Sequence, residues 1–270
     1  MFEKIVILGN GNLALNIATF LQKQLQRQSQ EQPIVCASYR ENAFSLFGAW
    51  CEKNRILYYR FDNKKDMQNF IESFQRQTLI ISANNYYVFP NDIIEQERFK
   101  IINYHNALLP RHRGLNAQMW SIFEQDSTSG ITWHCVAPEI DCGAIIIQKT
   151  ITLDSNETYL TLTQKQLKLA FDAFMQICPR LLEWNLNTSQ QESSNETLHK
   201  RADLPNGGYL DLGWDFEKKF AFLRSMDCGR SGALPKPKLI LHGKEYEILR
   251  YKKNPKNALG FDFDLGEKND

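Results

Sequence analysis

The first half of the chain alternates between two hydrophobic periods. Short apolar runs at residues 4–8, 33–38, 56–59, 78–82 and 100–105 read as buried strands bounded by turn-forming residues. Between them, apolar positions recur at helical spacing over residues 13–24 (Leu13, Ile17, Phe20, Leu21), 43–53 and 65–74. Strands that alternate with helices predict βαβ units, hence a largely parallel sheet with helices on both faces. The pattern then changes. Residues 130–136 and 144–150 read as two strands joined by a short loop. Residues 156–184 read as a long helix with Leu160, Leu167, Phe171, Phe174, Cys178 and Leu181 near one face, and Pro179 predicts a kink or break in it.

Residues 185–199 (NLNTSQQESSNETLH) are polar with few apolar anchors and read as a linker or surface loop. Beyond them come a helix at 216–226 and two strand-like runs, 238–241 and 246–251, with His242-Gly243-Lys244 turning between them. The predicted architecture is α/β: a Rossmann-like, mostly parallel sheet over residues 1–184, then the linker, a small α+β module over 200–254 and a polar tail over 255–270.

Composition narrows the partners. Thirty-two Lys and Arg against 31 Asp and Glu leave a formal net charge of +1, too balanced for a field that gathers nucleic acid or anionic lipid. No run of about 18 apolar residues is present to span a bilayer. MFEKIVILGN has no basic segment ahead of a small-residue cleavage site, so the expectation is a cytoplasmic protein without a signal peptide. The six cysteines are scattered, without metal-ligand spacing, and read as reduced thiols; no metal is expected.

Two constellations carry chemistry. Gly9-Asn10-Gly11-Asn12-Leu13-Ala14 fits a glycine-rich turn between a strand and a helix, which can offer backbone N–H groups to a phosphate. Gly9, Gly11 and Asn12 are therefore candidate substrate contacts. The second strand ends Ser38-Tyr39-Arg40, without the acidic residue an NAD site uses. Arg40 would suit a 2′-phosphate, which keeps an NADP-binding oxidoreductase as an alternative. The second constellation is Asn103-Tyr104-His105 followed by NALLPRHRG. Two residues apart on a strand, Asn103 and His105 leave the same face of the sheet, at the end where open α/β sheets bind ligands. A carboxamide donor beside an imidazole can stabilise an oxyanion and move a proton. Asp141, in a loop between strands, would orient His105 and raise its pKa.

Asn103, HNALLPRHRG, GITWHCV and EIDCG, in this order, resemble the formyltransferases that use 10-formyltetrahydrofolate. The resemblance covers residues 4–182 and, more faintly, the C-terminal module, which is then similar to a truncated OB domain. Two positions depart from the pattern: Ala107, where many members carry Ser, and Asn84-Asn85-Tyr86-Tyr87-Val88-Phe89-Pro90, which differs in wording from the usual pterin segment. The resemblance implies the formyltransferase fold and a metal-free transfer of formyl from 10-formyltetrahydrofolate, the co-substrate, to a primary amine. Asn103 and protonated His105 would hold the oxyanion, and Asp141 would position His105 and help carry off the amine's proton. Tyr86, Tyr87, Val88, Phe89, Val136 and Ile140 would hold the pterin.

The family divides by acceptor. The chain continues past the catalytic domain, unlike typical purine enzymes, yet offers only two good strand runs where an OB domain needs about five. The wording LLPRHRGLNAQMW is similar to the sugar N-formyltransferases, which implies a nucleotide-linked amino sugar as partner and a homodimer. A carrier-bound aminoacyl group and methionyl-tRNA remain as alternatives.

Overall fold

The computed structural model describes residues 2–27, 34–41, 45–192 and 196–267. Pro33 and Ala43, expected to open the second strand and the second helix, lie outside the described residues, as do residues 193–195 of the expected linker and the end of the expected tail.

The alternation in the first half builds a seven-stranded sheet. Its strands β1 (Lys4–Gly9), β2 (Ile34–Tyr39), β3 (Leu57–Phe61), β4 (Thr78–Ala83) and β5 (Phe99–His105) lie in the order β3-β2-β1-β4-β5, all parallel. The intervening helices are α1 (Gly11–Arg27), α2 (Leu46–Lys53), α3 (Lys64–Glu72) and the short α4 (Asn91–Ile94). A two-residue strand β6 (Arg113–Gly114) and helix α5 (Ala117–Phe123) follow. Then β7 (Thr128–Cys135) pairs antiparallel with β5, and β8 (Ile145–Thr152) forms the edge. This is the mostly parallel, Rossmann-like sheet the sequence predicts.

Alternate residues of the central strands feed two cores, one on each face. Ile5, Ile7 and Ile81 pack with Leu13, Ile17 and Leu21 of α1 and with Phe174. Val6, Leu8 and Ile80 pack with Met67 and Ile71 of α3 and with Ile93. Phe174 belongs to α6 (Tyr159–Leu182), which runs unbroken through Pro179. The expected break is therefore not seen; Pro179 stands in the last turn, so little helix follows it.

Contacts divide the residues into two units. The first is Met1–Arg113, Gly130–Lys149 and Gln166–Glu196; the second is Gly114–Ser129, Thr150–Lys165 and Thr197–Asp270. In the second, a two-residue strand β9 (Leu198–His199) precedes α7 (Phe216–Ser225) and a sheet of β10 (Lys238–Leu241), β11 (Lys244–Lys253) and β12 (Phe261–Glu267). Asp215 caps α7 by accepting from the Lys218 N–H at 2.7 Å. Leu241 pairs with Lys244 across a two-residue loop in which His242 and Gly243 both have positive φ, the geometry a tight hairpin requires. Part of the expected polar tail is the strand β12: Phe261, Phe263 and Leu265 alternate with Asp262 and Asp264, and Phe261 is fully buried against Phe216 and Phe220. Period-two alternation outweighs the polar composition of that stretch.

Candidate active site

Three neighbouring strands place three polar side chains in one row at the carboxyl end of the sheet. Ser82 of β4 stands opposite Asn103 of β5, and Asn103 stands opposite His134 of β7. The row has a single hydrogen-bond polarity. Asn85 Nδ2 donates to Ser82 Oγ at 3.2 Å, and Ser82 Oγ donates to Asn103 Oδ1 at 2.7 Å. The Asn103 amide is thereby oriented with Nδ2 toward His134 Nε2, 3.2 Å away, and Asp141 Oδ1, 3.4 Å away. His134 Nδ1 faces the Cys135 carbonyl at 2.8 Å and donates to it.

Asp141 joins the pieces. Its Oδ2 lies 3.4 Å from His105 Nδ1, and its Oδ1 lies 3.4 Å from His134 Nε2. His134, buried on β7, is thereby part of the cluster through both Asn103 and Asp141. The other ring nitrogen of His105, Nε2, lies 2.8 Å from the His112 carbonyl and donates to it, so the loop after β5 folds back onto the imidazole. That loop is held in turn by Thr132, which donates to the Ala107 carbonyl at 2.7 Å and accepts from the Leu109 N–H at 3.2 Å. With Nε2–H committed to a carbonyl, any proton between Nδ1 and Asp141 is shared by the pair. Complete burial pushes the His105 pKa below its ordinary value of 6.5, against the opposing pull of Asp141 and of the His112 carbonyl. The expected rise is therefore reversed: Asp141 acts in the expected direction, but desolvation is the larger effect.

The Asp141 loop is tightly constrained. Asp141 has φ +54°, a left-handed conformation that costs a non-glycine residue about 1–2 kcal/mol. A Cβ on Gly143 would stand 1.7 Å from the Cys135 carbonyl oxygen, so only glycine lets the loop close on β7. Cys142, between them, has its thiol pushed up by burial and is no thiolate nucleophile.

The residues expected to hold a pterin divide by the alternation of an extended segment. Tyr86 and Val88 are 59% and 55% exposed, and Ile140 on the Asp141 loop is 48% exposed. Tyr87 and Phe89 turn inward instead, packed edge to face at 5.2 Å in the core, and Val136 is partly buried beside them. Tyr87 and Phe89 can reach a ligand only through their backbone. Exposed apolar side chains on the two loops that also carry Asn85 and Asp141 fit a flat heteroaromatic ring.

The glycine-rich turn adjoins the loop after β4: Asn84 Nδ2 donates to the Asn10 carbonyl at 3.4 Å. Gly11 has φ +66° and opens α1, and its N–H donates to Glu41 Oε1 at 3.3 Å. Tyr58 donates its hydroxyl to Glu41 Oε2 at 2.6 Å; burial and this carboxylate push the phenol up to about 12. An acidic residue thus does follow the second strand, one position beyond Arg40, and it seats its own anion where a phosphate would bind. Arg40 donates Nε to the Asp62 carbonyl at 3.4 Å, and its guanidinium lies over the Tyr39 ring.

An open α/β sheet with a carboxylate–imidazole pair and an oriented carboxamide at its carboxyl edge can move a proton and stabilise a developing oxyanion. The chain belongs to the formyl transferase family, whose pattern its residues 4–178 match. It is 26% identical over 186 residues to the GDP-perosamine N-formyltransferase of Brucella melitensis, covering 69% of each chain. It is 29% identical over 154 residues to the methionyl-tRNA formyltransferase of Prochlorococcus marinus, covering 56% of this chain and 47% of that one. Its fold matches the N-formyltransferase of Helicobacter canadensis, solved with folinic acid and dTDP-3-aminofucose. The TM-score is 0.73 at 16% identity, over 94% of this chain and 89% of the other. Family membership overturns the oxidoreductase alternative.

Proposed function

We propose that the chain formylates the primary amine of a nucleotide-linked amino sugar, with 10-formyltetrahydrofolate as co-substrate. The observation that carries the reading is the convergence of Asn103, His105 and Asp141 on one edge of a formyl transferase sheet, with Asp141 3.4 Å from both Asn103 Nδ2 and His105 Nδ1. The folate, when bound, supplies a formyl carbon on a nitrogen that can leave. Asn103 Nδ2 turns its hydrogens to the formyl oxygen as charge builds there. The His105–Asp141 pair, its imidazole biased toward the neutral form by burial, takes the proton that the attacking amine loses and gives it to the folate nitrogen as the bond between that nitrogen and the formyl carbon breaks. His134 holds Asn103 and Asp141 in register. Tyr86, Val88 and Ile140, with backbone from Tyr87, Phe89 and Val136, line the pterin side. Gly9, Gly11 and Asn12 contact substrate phosphate only if Glu41 withdraws.

The sugar acceptor rests on the GDP-perosamine relative and on the structure solved with dTDP-3-aminofucose. A cytoplasmic homodimer belongs to the same reading; among the described residues no helix is long and apolar enough to cross a membrane. The test is a formylation assay with 10-formyltetrahydrofolate over GDP-perosamine, dTDP-3-aminofucose, methionyl-tRNA and an aminoacyl carrier protein. Turnover with an amino sugar is the expected result. Turnover confined to methionyl-tRNA or to the carrier overturns the acceptor, and no folate-dependent transfer to any amine overturns the whole reading.

A further inference from the structure

We propose that Gln191 is a positioning residue for the transfer reaction: it straps the Asp141 loop in the conformation that presents Asp141 to His105. The inference rests on the site reading above and assigns a role to a stretch whose polarity suggests a linker.

The geometry is specific. Gln191 Nε2 has two hydrogens and two acceptors, the Asp141 carbonyl at 2.7 Å and the Gly143 carbonyl at 2.8 Å. Both partners can only accept, so the amide orientation is settled by chemistry. Its Oε1 accepts from Arg113 Nη2 at 3.4 Å, and Arg113 Nη1 is paired with Glu196 Oε2 at 2.8 Å. The backbone that carries Gln191 is itself fixed to the sheet edge. Ser189 and Ile145 form an antiparallel bridge, with N–H to carbonyl distances of 2.8 and 3.0 Å.

The strap bears on chemistry because of what its two anchor points fix. Asp141 is in the left-handed region, a less populated conformation that its backbone must be held in, and Gly143 is pressed against the end of β7. A carboxamide bridging the carbonyls of Asp141 and Gly143 pins the peptide that leaves the left-handed residue and ties it to the closure on β7. The carboxylate then faces His105, His134 and Asn103 together. Without the strap the loop can relax toward ordinary backbone, and the carboxylate leaves the imidazole.

The experiment uses Gln191→Met, which preserves length and removes both donors, and Gln191→Glu, which replaces the donors by lone pairs. Histidine is 15N-labelled in the full chain. With five histidines, the His105 ring signals are assigned by their loss in His105→Gln. Asp141 raises the His105 pKa, so loosening it is expected to move the His105 titration to lower pH in both variants. The turnover number with the amine accepted in the panel is expected to fall about 100-fold, the usual effect of a small misplacement of a catalytic group, while KM for the amine stays within a few-fold. Folinic acid binding shows that a variant is folded, and the titration of Gln191→Glu carries the test should Gln191→Met fail to bind it. An unshifted His105 titration with unchanged turnover overturns the role, as does a fall in melting temperature with neither of those changes. Asp141→Asn is run in parallel. If it retains full turnover the site reading itself fails, whereas an inactive Asp141→Asn beside a fully active Gln191→Met removes only the role of Gln191.

Discussion

Asn103 illustrates how little of a side chain's function resides in its identity. A carboxamide can point either end into a site, and here the Asn85–Ser82 relay decides, because the Ser82 hydroxyl donates to Oδ1 and leaves Nδ2 for the site. Asn103→Ala is expected to lower kcat by about 10²–10³, the usual effect of losing one oxyanion donor, with folinic acid binding retained; a loss below tenfold would place the donor elsewhere. His105 supplies a second test through pH. Its folded pKa lies below 6.5, so above that value the imidazole is neutral in both folded and unfolded chains. As pH falls through 6.5 the unfolded chain takes up a proton that the buried ring resists, and stability declines until the folded imidazole titrates as well. The denaturation midpoint of the native protein should therefore fall more steeply below about pH 6.5 than that of His105→Gln. Parallel curves for the two proteins would mean that His105 is not desolvated.

At the scale of elements, β5, β7 and the loop before β8 together build the site, and each contributes by a different physical rule. β5 contributes by period two, which sends Asn103 and His105 to one face. β7 contributes by register, which sets His134 opposite Asn103 and Thr132 opposite His105. The loop contributes by strain, with a left-handed Asp141 closed by Gly143. In the second unit, β12 shows that a short strand can be essential to a small core. Phe261 has no exposed surface and stacks on Phe216 at a centroid distance of 4.9 Å. Phe261→Ala is expected to cost about 3–5 kcal/mol of that unit's stability, measured by urea denaturation followed by tryptophan fluorescence from Trp214. A change below about 1 kcal/mol would mean that the site collapses around the smaller residue.

For the molecule as a whole, the strand order β3-β2-β1-β4-β5 puts a switch point between β1 and β4, where ligands of open sheets commonly bind. The cluster of Ser82, Asn103, His105 and His134 lies on the neighbouring strands β4, β5 and β7, and Gly11 at the start of α1 donates to Glu41. The net charge of +1 adds a second constraint, since a long RNA gains affinity by displacing counterions from many phosphates. Methionyl-tRNA is for that reason the amine expected to fail in the panel, even though its enzymes are among the relatives.

The sequence alone carried the alternating pattern, the pair Asn103 and His105 on one strand face, and, by resemblance, Asp141 as their partner. Those are local or motif-level properties: periodicity depends on neighbours within a few residues, and an ordered set of short segments survives as text. The roles of His134, Glu41, Ser82, Asn85 and Gln191 did not show in it. Each is a polar residue of ordinary kind, and for all but Asn85 a partner stands far along the chain, as Glu41 does for Gly11 and Gln191 for Asp141. The inward turn of Tyr87 and Phe89 was hidden for a related reason, because burial depends on what the other face of the sheet supplies. Tertiary structure also decided the sign of the His105 shift. A neighbouring carboxylate can be named from sequence, but desolvation is set by every atom packed around the ring, and here it outweighs the carboxylate.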